Sequence, residues 1–128
     1  MKLSSERDIE WPFAAAHIPQ GPGQALDFGC ARSFLSLIAA LRGFQVKAID
    51  LEEVSWPYVH PNLRFIQGDL FELDFPKEHF DLIINCSSIE HVGLKGRYGV
   101  TLNRPDGDLQ AMALLKELHR EGTTVLMI

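Results

Sequence analysis

What most constrains this chain is an alternation. Five short apolar runs, Gln24–Phe28, Gln45–Asp50, Leu63–Gln67, Phe80–Asn85 and Thr123–Ile128, are separated by helical or loop signals. Ser33–Arg42 carries Phe34, Leu37, Ile38 and Leu41 at helical spacing, and Gly43 stands where a cap belongs. Asp108–Arg120 repeats the pattern through Ala111, Leu114, Leu115 and Leu118, with Asp108 at the N-cap and Gly122 at the C′ position. The fourth run, FDLIIN, is apolar throughout its middle, as a strand buried on both faces must be. Strands alternating with helices predict a parallel sheet with right-handed crossovers. Before them, residues 1–20 form an N-terminal helical segment. Its polar residues 1–8 are peripheral, and a short helix covers Trp11–Ile18 with Pro12 in its first turn. Pro19 and Gly21-Pro22-Gly23 stop that helix.

A sheet of this kind binds ligands at the carboxyl ends of its strands. The candidate site is therefore the set of residues just after each run: Asp27–Ser33, Asp50–Leu51, Gly68–Leu70 and Asn85–His91.

Composition narrows the ligand classes. At 128 residues the chain is one domain, and a net charge of −5 without any Lys/Arg run offers no nucleic-acid footprint. No apolar stretch approaches a membrane span or a secretory signal core, so a cytoplasmic protein is expected. Cys30 and Cys86 are neither a disulfide framework nor a zinc spacing, and the scattered histidines build no metal site. Asn85-Cys86-Ser87 matches the glycosylation triplet by chance, since it ends a buried strand.

Gly29 follows the first strand at once, and a glycine there lets backbone approach a ligand. The helix opening near Ser33 points its amides at the same spot. Asp50 ends the second strand about 20 residues on, where an acid can accept both hydroxyls of a ribose. A dinucleotide turn needs glycine where Ala31 and Phe34 stand, so pyrophosphate binding is weakly supported, and no P-loop is present. Asp69, after the third strand, can accept the amino group of an adenine. Together Asp27, Asp50 and Asp69 suit a cationic ligand better than one with two phosphates.

In order and spacing, ALDFGCARS at 25–33, AIDL at 48–51, GDL at 68–70 and FDLIINCSSIEH at 80–91 resemble the successive motifs of class I S-adenosylmethionine-dependent methyltransferases. The run Ser87–Gly99 resembles one poorly characterised group of them. The resemblance covers roughly residues 5–128. It implies an α/β, three-layer Rossmann-like fold with a mainly parallel sheet, and S-adenosyl-L-methionine as cofactor. In that frame Gly29, Cys30 and Ala31 lie along the methionine chain, and Asp27 serves the cofactor ammonium through water. Asp50 holds the ribose, Leu51 packs on the adenine, and Gly68, Asp69 and Leu70 hold its edge. Asn85, Cys86 and Ser87 wall the methyl group. Family members often carry glycine where Ala31 and Ser33 stand. Alanine is small enough for its position, and Ser33 can instead cap the following helix.

The residues after Asn85 are where substrate meets the methyl group in that frame. Glu90 and His91 are the acid–base candidates for a hydroxyl or amine acceptor, with a structural role as their alternative. Arg97 and Tyr98 either meet a substrate or tie down a glycine-rich loop. Trp56–Pro61 either covers the adenine edge or packs as a surface loop. The family fold has seven strands, and this chain stops in the fifth. An exposed strand edge invites pairing, so a homo-oligomer covering that edge is expected. The expected partner is a small-molecule or sugar-like methyl acceptor. A non-catalytic S-adenosylmethionine or S-adenosylhomocysteine binder and an NAD-binding oxidoreductase domain are the competing readings.

Overall fold

The computed structural model describes residues 7–30, 34–53, 58–85 and 107–127. Five strands, β1 (Gly23–Phe28), β2 (Phe44–Asp50), β3 (Leu63–Gln67), β4 (Phe80–Asn85) and β5 (His119–Met127), form one sheet in the order β3-β2-β1-β4-β5. Each neighbouring pair is parallel. The order reverses between β1 and β4, which is where a doubly wound sheet opens a crevice.

Successive residues of the central strands point to opposite faces, and each face has its own core. On one face Ala25, Val46, Leu82 and Ile84 pack with Ala14 and Ile18 of the α1 region and with Leu35, Ala39 and Ala40 of α2. On the other Leu26, Ile49, Phe80 and Ile83 pack with Leu115 and Leu118 of α3. The helices are α1 (Arg7–His17), α2 (Leu35–Leu41) and α3 (Gly107–Leu118). The result is the expected three-layer α/β architecture. FDLIIN is β4, with Phe80, Leu82, Ile83, Ile84 and Asn85 all buried, as its apolar run requires.

Several details differ from the sequence expectation. Helix α1 starts at Arg7, because the polar residues ahead of Trp11 are adequate helix formers, and Pro12 falls inside it. Helix α2 buries Leu35, Ser36, Ala39 and Ala40, whereas Leu41 is 62% exposed. The bulky stripe through Phe34, Leu37, Ile38 and Leu41 is thus not the face against the sheet. Small side chains at 36, 39 and 40 let the helix backbone lie close to the strands, while Phe34 and Ile38 pack at the margin. Phe34 meets Trp11 edge-on at 5.8 Å between ring centres. The N-cap position expected for Ser33 is taken by Phe34, with no side-chain cap. Gly43 ends α2 as expected, at φ +101 with its N–H donating to Ala40 O. Helix α3 begins at Gly107, so Asp108 lies in the first turn rather than at the N-cap. It ends at Leu118, not Arg120. Gly122 (φ +84) therefore sits in an irregular stretch of β5, where the register with β4 jumps between Phe80 and Leu82.

Candidate cofactor site

Three strand ends lie side by side at the carboxyl edge of the sheet. β1 finishes at Asp27-Phe28 and turns at Gly29, whose φ of +67 is left-handed backbone that glycine adopts without strain. The N–H groups of Gly29 and Cys30 both donate to Ile49 O, at 3.0 and 3.1 Å. The turn is thereby fastened to the end of β2. The N–H of Gly68 donates to Asp50 O at 2.9 Å and fastens the end of β3 to the same strand.

Each acid at this edge is held differently. Asp50 is half-buried, and its Oδ1 accepts the Glu52 N–H at 3.0 Å. Asp69 is half-buried, and its Oδ1 accepts the Phe71 N–H at 2.9 Å. Both close a local turn with one carboxylate oxygen, which fixes where the acid stands. Asp27 is deep in the fold, 2% exposed, and accepts a 2.6 Å hydrogen bond from Ser36 Oγ of α2. Burial pushes its carboxyl up to about 7. Ser36 pulls it down, and the nearby Asp50 charge adds a smaller push upward. Cys30 is a buried free cysteine whose titration is driven far upward by burial and by the charges of Asp27 and Asp50. It is a neutral thiol here, not a nucleophile.

The predicted set thus divides. Asp27, Gly29, Cys30, Asp50, Leu51, Gly68, Asp69 and Leu70 stand together along β1, β2 and β3. Leu70 turns its side chain into the core with Leu26, Ile49 and Phe80, leaving its backbone for any ligand role. Buried Asn85 ends β4 on the other side of β1, one residue past the pairing of Asp27 with Ile84. Ala31, Cys86, Ser87, Glu90 and His91 lie outside the described residues, as do Arg97, Tyr98 and the Trp56-Pro57 part of the aromatic loop. Of that loop Tyr58 is half-buried, Val59 projects outward, and His60 Nδ1 accepts the Asn62 N–H at 3.0 Å.

Sequence reasoning missed Ser36. Its signal was a lone hydroxyl in an apolar helix, FLSLIAAL, nine residues beyond Asp27. Among the described residues no helix is long and apolar enough to cross a membrane, and no cluster of His, Cys, Asp and Glu has metal-site geometry.

A family model described as a methyltransferase domain matches residues 26–120, from β1 to the start of β5. The chain belongs to that family. Two probable S-adenosylmethionine-dependent methyltransferases from strains of Mycobacterium tuberculosis are 29% identical to this methyltransferase domain over 76 residues. That stretch covers 57% of this chain and 28% of each relative, so the match spans about a quarter of their length. Among solved structures, an Archaeoglobus fulgidus S-adenosylmethionine-dependent methyltransferase superposes with a TM-score of 0.72 at 16% identity. The superposition covers 96% of this chain and 52% of that one. The 1,6-didemethyltoxoflavin-N1-methyltransferase of Burkholderia thailandensis, solved with S-adenosylhomocysteine, gives 0.66 at 22% identity over 91% and 48%. At these identities the likeness is one of fold. S-adenosylmethionine is the cofactor of the domain, and the edge suits it. Bare backbone at Gly29 lies among three acids, matched to a ligand carrying a sulfonium, an ammonium, ribose hydroxyls and an adenine amine.

Proposed function

We propose that this domain holds S-adenosylmethionine across the carboxyl ends of β1–β4 and presents its methyl group to a small-molecule or sugar-like acceptor. The observation that supports this most is the side-by-side placement of Asp27, Asp50 and Asp69 on three adjacent strand ends, stitched together through Ile49 O and Asp50 O. In this reading Asp27 faces the ammonium through water, and Gly29, Cys30 and Ala31 run along the methionine chain. Asp50 accepts the ribose hydroxyls with Leu51 beside the adenine, and Gly68, Asp69 and the Leu70 backbone take the adenine edge. Asn85, Cys86 and Ser87 wall the methyl end. When bound, the cofactor supplies an electrophilic methyl on a sulfonium. The chain supplies orientation, which alone is worth roughly 7–11 kcal/mol in such displacements. Glu90 and His91 are proposed to accept the proton of a hydroxyl or amine acceptor.

We place the domain in the cytoplasm, in keeping with the buried free thiol of Cys30. Among the described residues β5 is an edge strand, and its outer edge is proposed to pair with a second copy of the chain, as a strand edge favours. A monodisperse monomer in light scattering would exclude that pairing.

Calorimetry with S-adenosylhomocysteine and, separately, NAD tests the central reading. Binding of the first and not the second is expected, and the converse, or no binding at all, overturns it. Asp50→Ala is expected to weaken S-adenosylhomocysteine by about 1–3 kcal/mol, because the ribose hydroxyls lose a charged acceptor. An unchanged affinity would place Asp50 outside the site.

A further inference from the structure

Ser36 is an unusual residue for its place. It is fully buried on the sheet-facing side of α2, among Leu35, Ala39 and Ala40. A serine inside a helix commonly returns its hydroxyl to the carbonyl one turn back. Here the hydroxyl instead crosses to Oδ2 of Asp27, at 2.6 Å. That distance lies in the range of a hydroxyl donating to an ionised carboxylate. Asp27 needs such a donor. Its backbone register partners are Ala48 on β2 and Ile84 on β4, which bring it no charge. Among the described residues the titratable groups that face it are Asp50 from β2, which repels its negative form, and Cys30 in the turn, which remains a thiol. Neither favours the carboxylate.

From this geometry we infer that Ser36 is a positioning residue of the cofactor site, its hydroxyl keeping the Asp27 carboxyl in one orientation and in its anionic form for the cofactor ammonium. The inference rests on the cofactor reading above and goes beyond it by naming a group that never touches the cofactor. It has a consequence near neutrality. Burial holds the Asp27 carboxyl up at about 7, and the Ser36 hydrogen bond works against that rise. Cofactor capture therefore strengthens as pH rises through neutrality, and removing the hydroxyl moves that rise to higher pH.

Three variants separate the hydroxyl from the packing. Ser36→Ala removes the donor, Ser36→Cys keeps nearly the same shape with a poor donor, and Ser36→Thr keeps the hydroxyl. The Asp27 carboxyl is followed by carbon NMR in the ligand-free chain. S-adenosylhomocysteine affinity is measured by calorimetry between pH 6 and 8.5. The Ala and Cys variants are expected to raise the Asp27 midpoint and to bind about tenfold more weakly at pH 7, the loss of one charge-assisted hydrogen bond. The deficit is expected to shrink at pH 8.5, and Thr is expected to restore the native profile. If Ala does not fold, Cys and Thr still give the comparison. An unmoved Asp27 midpoint, or an affinity deficit equal at every pH, overturns the role of Ser36 and leaves the cofactor reading standing. Failure of the native chain to bind S-adenosylhomocysteine overturns both.

Discussion

The two edges of this sheet treat charge in opposite ways. At the amino edge the charged side chains Asp81 and Arg42 are partnered. Asp81 accepts the Gln24 N–H on Oδ2 at 2.8 Å and pairs with Arg120 through Oδ1 at 3.1 Å. Arg42 donates through Nη1 to Ala15 O and Ile18 O, while its own carbonyl accepts the Gly21 N–H. Gly21 there is packed tight, and a Cβ on it would stand 2.8 Å from the Gly43 carbonyl carbon. At the carboxyl edge Asp27, Asp50 and Asp69 stand on three adjacent strand ends, and among the described residues Asp50 adds repulsion to the buried Asp27. The amino edge is arranged to hold the fold. The carboxyl edge keeps an electrostatic cost that a cationic ligand would relieve.

Asp27 offers the largest test of that contrast. Its folded-state titration, at about 7, lies above its ordinary value of 3.8. The folded chain therefore keeps a proton that the unfolded chain releases across this window. Asp27 contributes stability that is fully present below about pH 4 and is lost as pH rises to 7. At about 1.36 kcal/mol per pH unit, the upper bound is roughly 4 kcal/mol. Asp27→Asn removes this slope. Denaturant unfolding is expected to show the native chain losing stability relative to the variant between pH 4 and 7, and parallel curves would mean that Asp27 is well solvated. The same variant is expected to lose S-adenosylhomocysteine affinity, so a substitution that steadies the domain at pH 8 weakens its site.

How far the sequence reveals this contrast depends on what each feature rests on. β4 is legible because its burial on both faces requires an apolar run, and Leu82-Ile83-Ile84 is one. The strand-end acids are legible because a strand-to-turn junction places Asp50 and Asp69 at the edge whatever the packing above. The packed face of α2 is not legible. Bulky residues mark one stripe and small ones another, and only the distance between helix and sheet decides which is buried. That decision brings Ser36 to Asp27 and turns Leu41 outward. The start of β5 is hidden for a related reason. Gly122 reads as a helix cap, yet backbone pairing with β4 has begun by His119. The Glu78 N–H and His79 N–H donate to the carbonyls of Glu117 and Leu118, which closes α3 from another part of the chain.

Arg42 tests the amino edge. Its two donated hydrogen bonds satisfy carbonyls around the C-terminal end of α1 and join that helix to the turn after α2. Arg42→Ala is expected to cost about 3 kcal/mol, two charge-assisted bonds at about 1.5 each. S-adenosylhomocysteine affinity of the folded protein is expected to be unchanged. A matching loss of affinity would mean that the two edges are coupled and that the division between them fails.

Two glycines set the finest comparison, since both hold left-handed backbone, one at each edge. Gly29 has φ +67 in the turn after β1, and Gly43 has φ +101 after α2. Alanine at either position carries a similar conformational cost, about 1–2 kcal/mol. Space adds little at Gly43, where the nearest atom to a new Cβ is Gly21 Cα at 3.7 Å. Comparable falls in unfolding midpoint are therefore expected for Gly29→Ala and Gly43→Ala. Calorimetry separates them. Gly29→Ala puts a methyl group on the turn proposed to meet the ligand and is expected to lose S-adenosylhomocysteine binding well beyond its stability cost, whereas Gly43→Ala is expected to keep native affinity. Equal affinities in the two variants would reduce Gly29 to a tight turn and move the ligand away from the end of β1.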